Sequence, residues 1–217
     1  MRPEAVLFDC DGVLVDSEPV TDRVIIENLS SYGLTLTPDE VTEMFLGGTL
    51  PQVGEKARAM GADLPETWTD EIYRKIDDSL RGNCPAVDGV HTLLDRLDRA
   101  GIPYGVASNG PRHKMAVTLG QNDLLDRMGD RIFSAHDGIA PKPAPDMYLM
   151  LAERLGVAPG RAVVVEDSAA GVRAAKAAGI RVIGYAERTP AEKLAALGAE
   201  AAATMAEVGR LMGFRDD

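Results

Sequence analysis

Four apolar residues, Ala5-Val6-Leu7-Phe8, end abruptly on Asp9-Cys10-Asp11-Gly12. A run this short and this uniformly apolar predicts a strand buried on both faces, the kind found inside parallel sheets. Two carboxylates one residue apart at the carboxyl end of such a strand stand where open α/β sheets place their ligands. The glycine lets the chain turn away at once. The local chemistry is that of a hard-cation site with an oxygen nucleophile beside it.

From Asp16 to Pro85 the pattern turns helical throughout. Val20, Val24, Ile25 and Leu29 recur at helical spacing over 19–32, and Gly33 stops that helix. Thr37-Pro38-Asp39-Glu40 reads as a capped start with Pro38 in the first turn. Gly47-Gly48 ends the second helix, 50–60 forms a third, and 68–81 a fourth with Ile72, Ile76 and Leu80 on one face. Gly82-Asn83-Cys84-Pro85 breaks it. Beyond Pro85, strands at 104–107, 131–134, 162–165 and 181–185, with a short edge strand at 200–203, alternate with helices. The expectation is an α/β fold, a Rossmann-like parallel sheet with helices on both faces, built from 1–15 and 86–217. A small all-helical cap domain of four helices, 16–85, interrupts it.

The chain has 217 residues, room for one full domain and an insertion. Its formal charge of −11 argues against nucleic acid or an anionic membrane as partner. An anionic substrate would need local cations to overcome that field, and a divalent ion with a lysine would supply them. Cys10 and Cys84 are the only cysteines, which suggests a reducing compartment without disulfides, and Cys10 reads as a small buried apolar residue. The opening residues carry no secretory pattern, and no apolar run nears the ~20 residues of a spanning helix. A cytoplasmic setting is expected, with a monomer as the default state.

The polar residues at the strand ends complete the pattern. The first strand delivers Asp9 and Asp11, the next Ser108 and Asn109 ahead of Gly110-Pro111, and the strongest later one Glu166 and Asp167. Between them Pro141-Lys142-Pro143-Ala144-Pro145 presents one lysine on a proline-braced loop. In a parallel sheet these groups converge on one edge. Carboxylates for Mg²⁺, a hydroxyl near a helix start for phosphate oxygens and a lysine for charge neutralisation make a phosphoryl-transfer site. Each group has a plainer reading: Asp9 and Asp11 as turn formers, Ser108 as a helix cap, Lys142 as a solvated loop lysine. Their concurrence favours the chemistry. His91, His113 and His136 lack metal-ligand spacing and are assigned none.

These motifs resemble those of the haloacid dehalogenase (HAD) superfamily: Asp9 to Glu18 its first signature, Ser108-Asn109 its second, Lys142-Pro143 its third and Glu166-Asp167-Ser168 its fourth. The helical insertion is similar to the cap of the β-phosphoglucomutase-like branch. Ser108 to Met115, with Lys142 to Asp146, resembles the sugar-phosphate and 6-phosphogluconate phosphatases of that branch. The resemblance implies a Mg²⁺-dependent phosphomonoester hydrolase acting on a small phosphorylated metabolite. Asp9 would be the nucleophile that becomes an aspartyl phosphate, and Asp11 the acid and then the base. Mg²⁺ would be held by Asp9, the main-chain carbonyl of Asp11 and Asp167, with Glu166 either a further ligand or an outer anchor. Ser108 and Asn109, with Gly110, would hold phosphoryl oxygens, and Lys142 would offset their charge. Glu18 and Gly47 would complete the substrate site under a cap hinged near 16–18 and 83–85.

The nearest alternative is a phosphosugar mutase. Where that branch carries a cap histidine and an arginine, this chain has Thr21 and Leu50, which favours hydrolysis. A dehalogenase would lack the carboxylate of Asp11, and a phosphonate hydrolase would need a lysine between Val20 and Val24. A phospho-accepting signalling or binding protein is the alternative of another class; receiver domains are shorter, and their acidic pair is contiguous.

Overall fold

A computed structural model of the chain describes residues 2–45 and 49–215. They form two compact units, Met1–Asp16 with Ala86–Asp217, and Ser17–Pro85. Among the described residues no helix is long and apolar enough to cross a membrane.

The Ser17–Pro85 unit is helical: α1 (Glu18–Ser31), α2 (Pro38–Phe45), α3 (Leu50–Ala59) and α4 (Trp68–Leu80). The expected cap of α2 is present, with the Thr37 N–H donating to Glu40 Oε2 at 2.8 Å and the Glu40 N–H to Thr37 Oγ1 at 3.4 Å. The Thr37 N–H and the Thr37 hydroxyl, which donates to the same Oε2 at 2.9 Å, hold the Glu40 carboxyl below its ordinary pKa. Gly47 lies outside the described residues. Val24, Ile25 and Leu29 of α1 and Ile72, Ile76 and Leu80 of α4 are buried. Trp68, fully buried, donates its indole N–H to Asn28 Oδ1 at 2.6 Å. Gly54 is what admits that ring, because a β-carbon there would sit 2.8 Å from it.

The other unit carries β1 (Ala5–Phe8), β2 (Tyr104–Ser108), β3 (Ile132–Ser134), β4 (Ala162–Glu166), β5 (Arg181–Tyr185) and β6 (Glu200–Ala202). They pair in parallel throughout, in the order β3-β2-β1-β4-β5-β6. Its helices are α5 (Val90–Arg99), α6 (Arg112–Gly120), α7 (Leu125–Met128), α8 (Asp146–Arg154), α9 (Ala169–Ala177), α10 (Ala191–Ala196) and α11 (Met205–Leu211). The α/β fold is therefore the one expected, with α7 an addition whose single turn is too short to carry a readable period. Leu7 and Val164 join Met147, Tyr148 and Leu151 of α8 and Val172 of α9 in one apolar cluster. The alternate residues Val6, Phe8, Val163 and Val165 are also fully buried and face the other way, so β1 and β4 are covered on both sides. With β2 on one flank and β4 on the other, β1 stands where the strand order reverses, the place at which open α/β sheets bind their ligands.

Candidate active site

The residues beyond β1 are organised around one buried ammonium. Lys142, 6% exposed, places Nζ 2.5 Å from Asp9 Oδ1 and 2.7 Å from Glu166 Oε1. Asp9 is the first residue beyond β1, and its N–H donates to the Val165 carbonyl of β4 at 3.0 Å. The lysine loop is fixed by Asn109 at the end of β2. The Lys142 N–H donates to Asn109 Oδ1 at 2.8 Å, and Asn109 Nδ2 donates to the Lys142 carbonyl at 3.2 Å. The side chain of Asn109 thus serves to place the lysine.

Glu166 is fully buried and both of its oxygens are engaged. Oε1 accepts from Lys142 Nζ and from the Tyr148 hydroxyl at 3.0 Å, while Oε2 accepts from the N–H and the hydroxyl of Ser168, both at 2.9 Å. Ser168 in turn caps α9 by accepting from the Gly171 N–H at 3.0 Å. A β-carbon on Gly171 would lie 1.6 Å from Glu166 Oε1, so only glycine admits this carboxylate. Ligand oxygens of Asp9, Glu166 and Asp167 lie within 4.8 Å of one another, which would suit a shared cation. Four donors, however, fill the acceptor directions of the Glu166 carboxylate, and of its two expected roles that of an anchor fits better.

Asp11 lies on the turn after Asp9, and its Oδ1 accepts from Lys114 Nζ of α6 at 2.7 Å. Gly110 sits beside that pair. Its N–H donates to Ser108 Oγ at 2.9 Å and its carbonyl accepts from Ser134 Oγ at 2.7 Å. Both backbone groups of Gly110 are thus engaged inside the protein. Gly12, at φ +77°, lets the turn pass Asp167, whose Oδ2 would be 2.3 Å from a β-carbon at that position. Glu18, expected near the substrate, opens α1 in the other unit.

The electrostatics follow from one cation among several carboxylates. Burial pushes Asp9 up to about 7 from 3.8, with Lys142 pulling it down and Glu166 pushing it further up. Burial works against the Lys142 charge too, but Asp9, Glu166 and Tyr148 together carry its pKa well above the ordinary value. Both pKa values move up, because the ammonium faces two carboxylates while each carboxylate has only a share of one ammonium. Burial and Glu166 keep the Tyr148 hydroxyl protonated, and hence a donor, far above the ordinary tyrosine range. Asp9, Glu166 and Asp167 gather three buried carboxylates around one ammonium. An all-oxygen set of that kind fits a hard divalent cation.

Sequence reasoning missed Tyr148, which reads as a core aromatic on α8, and gave Lys114 no role. The one available signal was position: each lies in the first turn of a helix that directly follows a motif loop.

A parallel sheet with carboxylates, a hydroxyl and a lysine gathered at its switch point defines a phosphoryl-transfer protein of the α/β class. Residues 3–179 match the model of the haloacid dehalogenase-like hydrolases, and the chain belongs to that family. It is 33% identical over 183 residues to the 6-phosphogluconate phosphatase of Escherichia coli K12, covering 83% of this chain and 81% of that one. Hexitol phosphatase A of the same organism is 33% identical over 187 residues, with 84% and 83% covered. A solved haloacid dehalogenase-like protein of Agrobacterium tumefaciens C58 superposes with a TM-score of 0.86 at 32% identity, over 96% of this chain and 97% of that one. Among the hydrolases of this family the chain is a phosphatase.

Proposed function

We propose that the protein hydrolyses the phosphate monoester of a small sugar, sugar acid or polyol through an aspartyl phosphate on Asp9, with Mg²⁺ as cofactor. The observation that carries this reading is the buried Lys142 bridging Asp9 and Glu166 at 2.5 and 2.7 Å, with Asp11 two residues beyond the nucleophile. The named substrates of the 6-phosphogluconate and hexitol phosphatases support the choice of ester.

Asp9 attacks phosphorus, forming an Oδ–P bond as the bond to the leaving oxygen breaks, and Asp11 gives that oxygen its proton. Water then attacks the same phosphorus, Asp11 takes the proton of the water, and Asp9 is released with inorganic phosphate. Lys142 offsets the repulsion between the Asp9 carboxylate and the phosphate dianion. The Ser108 hydroxyl, held by the Gly110 N–H, and the main-chain N–H of Asn109 receive phosphoryl oxygens. Asp9, Asp167 and the Asp11 carbonyl would hold Mg²⁺, with Glu166 anchoring Lys142. When bound, the ion supplies Lewis-acid stabilisation of charge on the transferring phosphoryl group.

The mutase alternative finds no support at Thr21, whose hydroxyl donates to the Ser17 carbonyl at 2.9 Å, or at Leu50, an apolar residue in the first turn of α3. The test is phosphate release from a panel of phosphorylated sugars, sugar acids and polyols, with and without Mg²⁺, using Asp9→Asn as control. Mg²⁺-dependent release that Asp9→Asn abolishes is expected. Isomerisation of a sugar monophosphate without net release would overturn the reading.

A further inference from the structure

We infer that Lys114 is the positioning residue for Asp11, holding the acid–base carboxyl in the orientation from which it serves the leaving oxygen. The role rests on the hydrolase reading and deepens it. Lys114 stands in the first turn of α6, 103 residues from Asp11, yet its Nζ is 2.7 Å from Asp11 Oδ1. The two side chains are only 15% and 24% exposed, against 63% and 81% for a surface pair such as Arg81–Asp78. An exposed pair of that kind orders little, whereas a shielded charge-assisted hydrogen bond fixes geometry. Gly110 lies beside the pair: a β-carbon there would be in ordinary contact with Lys114 Cδ at 3.8 Å and Asp11 Oδ2 at 3.4 Å.

Asp11 needs such a partner because the backbone alone cannot aim it. It lies past the end of β1, on a turn, where the carboxyl retains two side-chain torsions. A displacement of about 1 Å at a reacting group costs on the order of 10²-fold in rate. Each of the two catalytic carboxylates thus has its own lysine, Lys142 for Asp9 and Lys114 for Asp11, delivered by different segments of the chain.

The test compares two esters in the presence of Mg²⁺: p-nitrophenyl phosphate, whose leaving group departs without a proton, and the best alkyl phosphate from the release panel. The ratio of their kcat/KM values reports leaving-group protonation, since kcat/KM covers only the steps up to departure of that group. In Lys114→Met, and equally in Lys114→Gln, kcat/KM for the alkyl ester should fall about 30-fold or more and that for the aryl ester less than about threefold. The inhibition constant for inorganic phosphate should stay within about twofold, and Lys114→Arg should recover most of the loss. In an Asp11→Asn background, Lys114→Met should change the ratio no further. Parallel losses on both esters, a matching rise in the phosphate inhibition constant, or an undiminished effect without Asp11 would each overturn the role. A wild type that releases phosphate from neither ester would sink the hydrolase reading itself, whereas one that turns over with an unmoved ratio would sink only this role.

Discussion

Gly12 and Asp167 share one space: a β-carbon on the glycine would lie 2.3 Å from Oδ2 of the aspartate. The turn that follows β1 and the carboxylate that follows β4 are therefore built to one tolerance. Gly12 has two reasons to be glycine, its φ of +77° and this approach.

Gly12→Ala should disturb the metal site beyond its effect on stability. A left-handed alanine costs about 1–2 kcal/mol, which any such position would show. Gly33, at φ +84° with nothing within 4 Å of its β-carbon position, provides the comparison. Both alanine variants should lose a few degrees of Tm. Only Gly12→Ala should raise the Mg²⁺ concentration for half-maximal phosphate release, by about tenfold as a carboxylate ligand is displaced. Equal Mg²⁺ titrations in the two variants would count against Asp167 as a ligand.

Lys142→Met removes the cation and leaves its buried carboxylates facing one another. Losing one partner of a buried pair costs about 3–5 kcal/mol, a fall of roughly 6–20 °C in Tm for a chain of this size. Without the ammonium Asp9 takes up its proton at a higher pH than in wild type, so the deficit should shrink as pH is lowered to about 7 and level off below, where Asp9 is protonated in both. Melting curves across pH check both the size and the sign.

Asp9 itself makes the metal-free protein sensitive to pH. Its carboxyl titrates at about 7 when folded, against 3.8 as the ordinary value. Between those values the folded chain binds more protons than the unfolded one, so this contribution to stability is complete below about 3.8 and is lost as pH rises to about 7. In chelator, the Tm of Asp9→Asn minus that of wild type should grow with pH and level off above about 7. Mg²⁺ affinity should weaken roughly tenfold per unit below that pH, since the ion must displace the proton. A flat difference would remove Asp9 as the titrating group.

Tyr148→Phe deletes one of the four donors to Glu166 and keeps the apolar ring. Leaving a buried acceptor short of a donor costs about 1–3 kcal/mol. Turnover should fall several-fold through a looser Lys142, with KM nearly unchanged. A fall confined to Tm would make the tyrosine purely a packing residue.

The two aspartates should fail differently. Asp9→Asn removes the proposed nucleophile and should lower turnover to background. Asp11→Asn should lower it by about 10²–10⁴-fold while a phosphoenzyme accumulates, read by acid quench with labelled substrate. Equal residual rates with no trapped phosphate in either variant would contradict the division of labour.

The sequence was informative where a residue's role follows from its place at the end of an element. Asp9, Ser108 and Glu166 lie at or just beyond strand ends marked by short apolar runs, and Thr37-Pro38-Asp39-Glu40 marked the start of α2. It was mute where the role depends on which way a side chain reaches. Asn109 clasps the Lys142 backbone across 33 residues, and Lys114 meets Asp11 across 103. Neither contact leaves a periodicity in the chain. Gly171 is a related case: in an alanine-rich helix it looks like a mild defect, and only the fold puts a carboxylate where its side chain would be.

During synthesis 132 residues separate the proposed nucleophile from the lysine that bridges it to Glu166, since Asp9 and Lys142 are 133 positions apart. β4, which flanks β1 directly, is synthesised after the entire helical insertion and after β2 and β3. Nascent chains arrested before residue 166 therefore contain the proposed nucleophile without the carboxylates that follow β4, and on this reading catalytic competence arrives late, when β4 slots in beside β1.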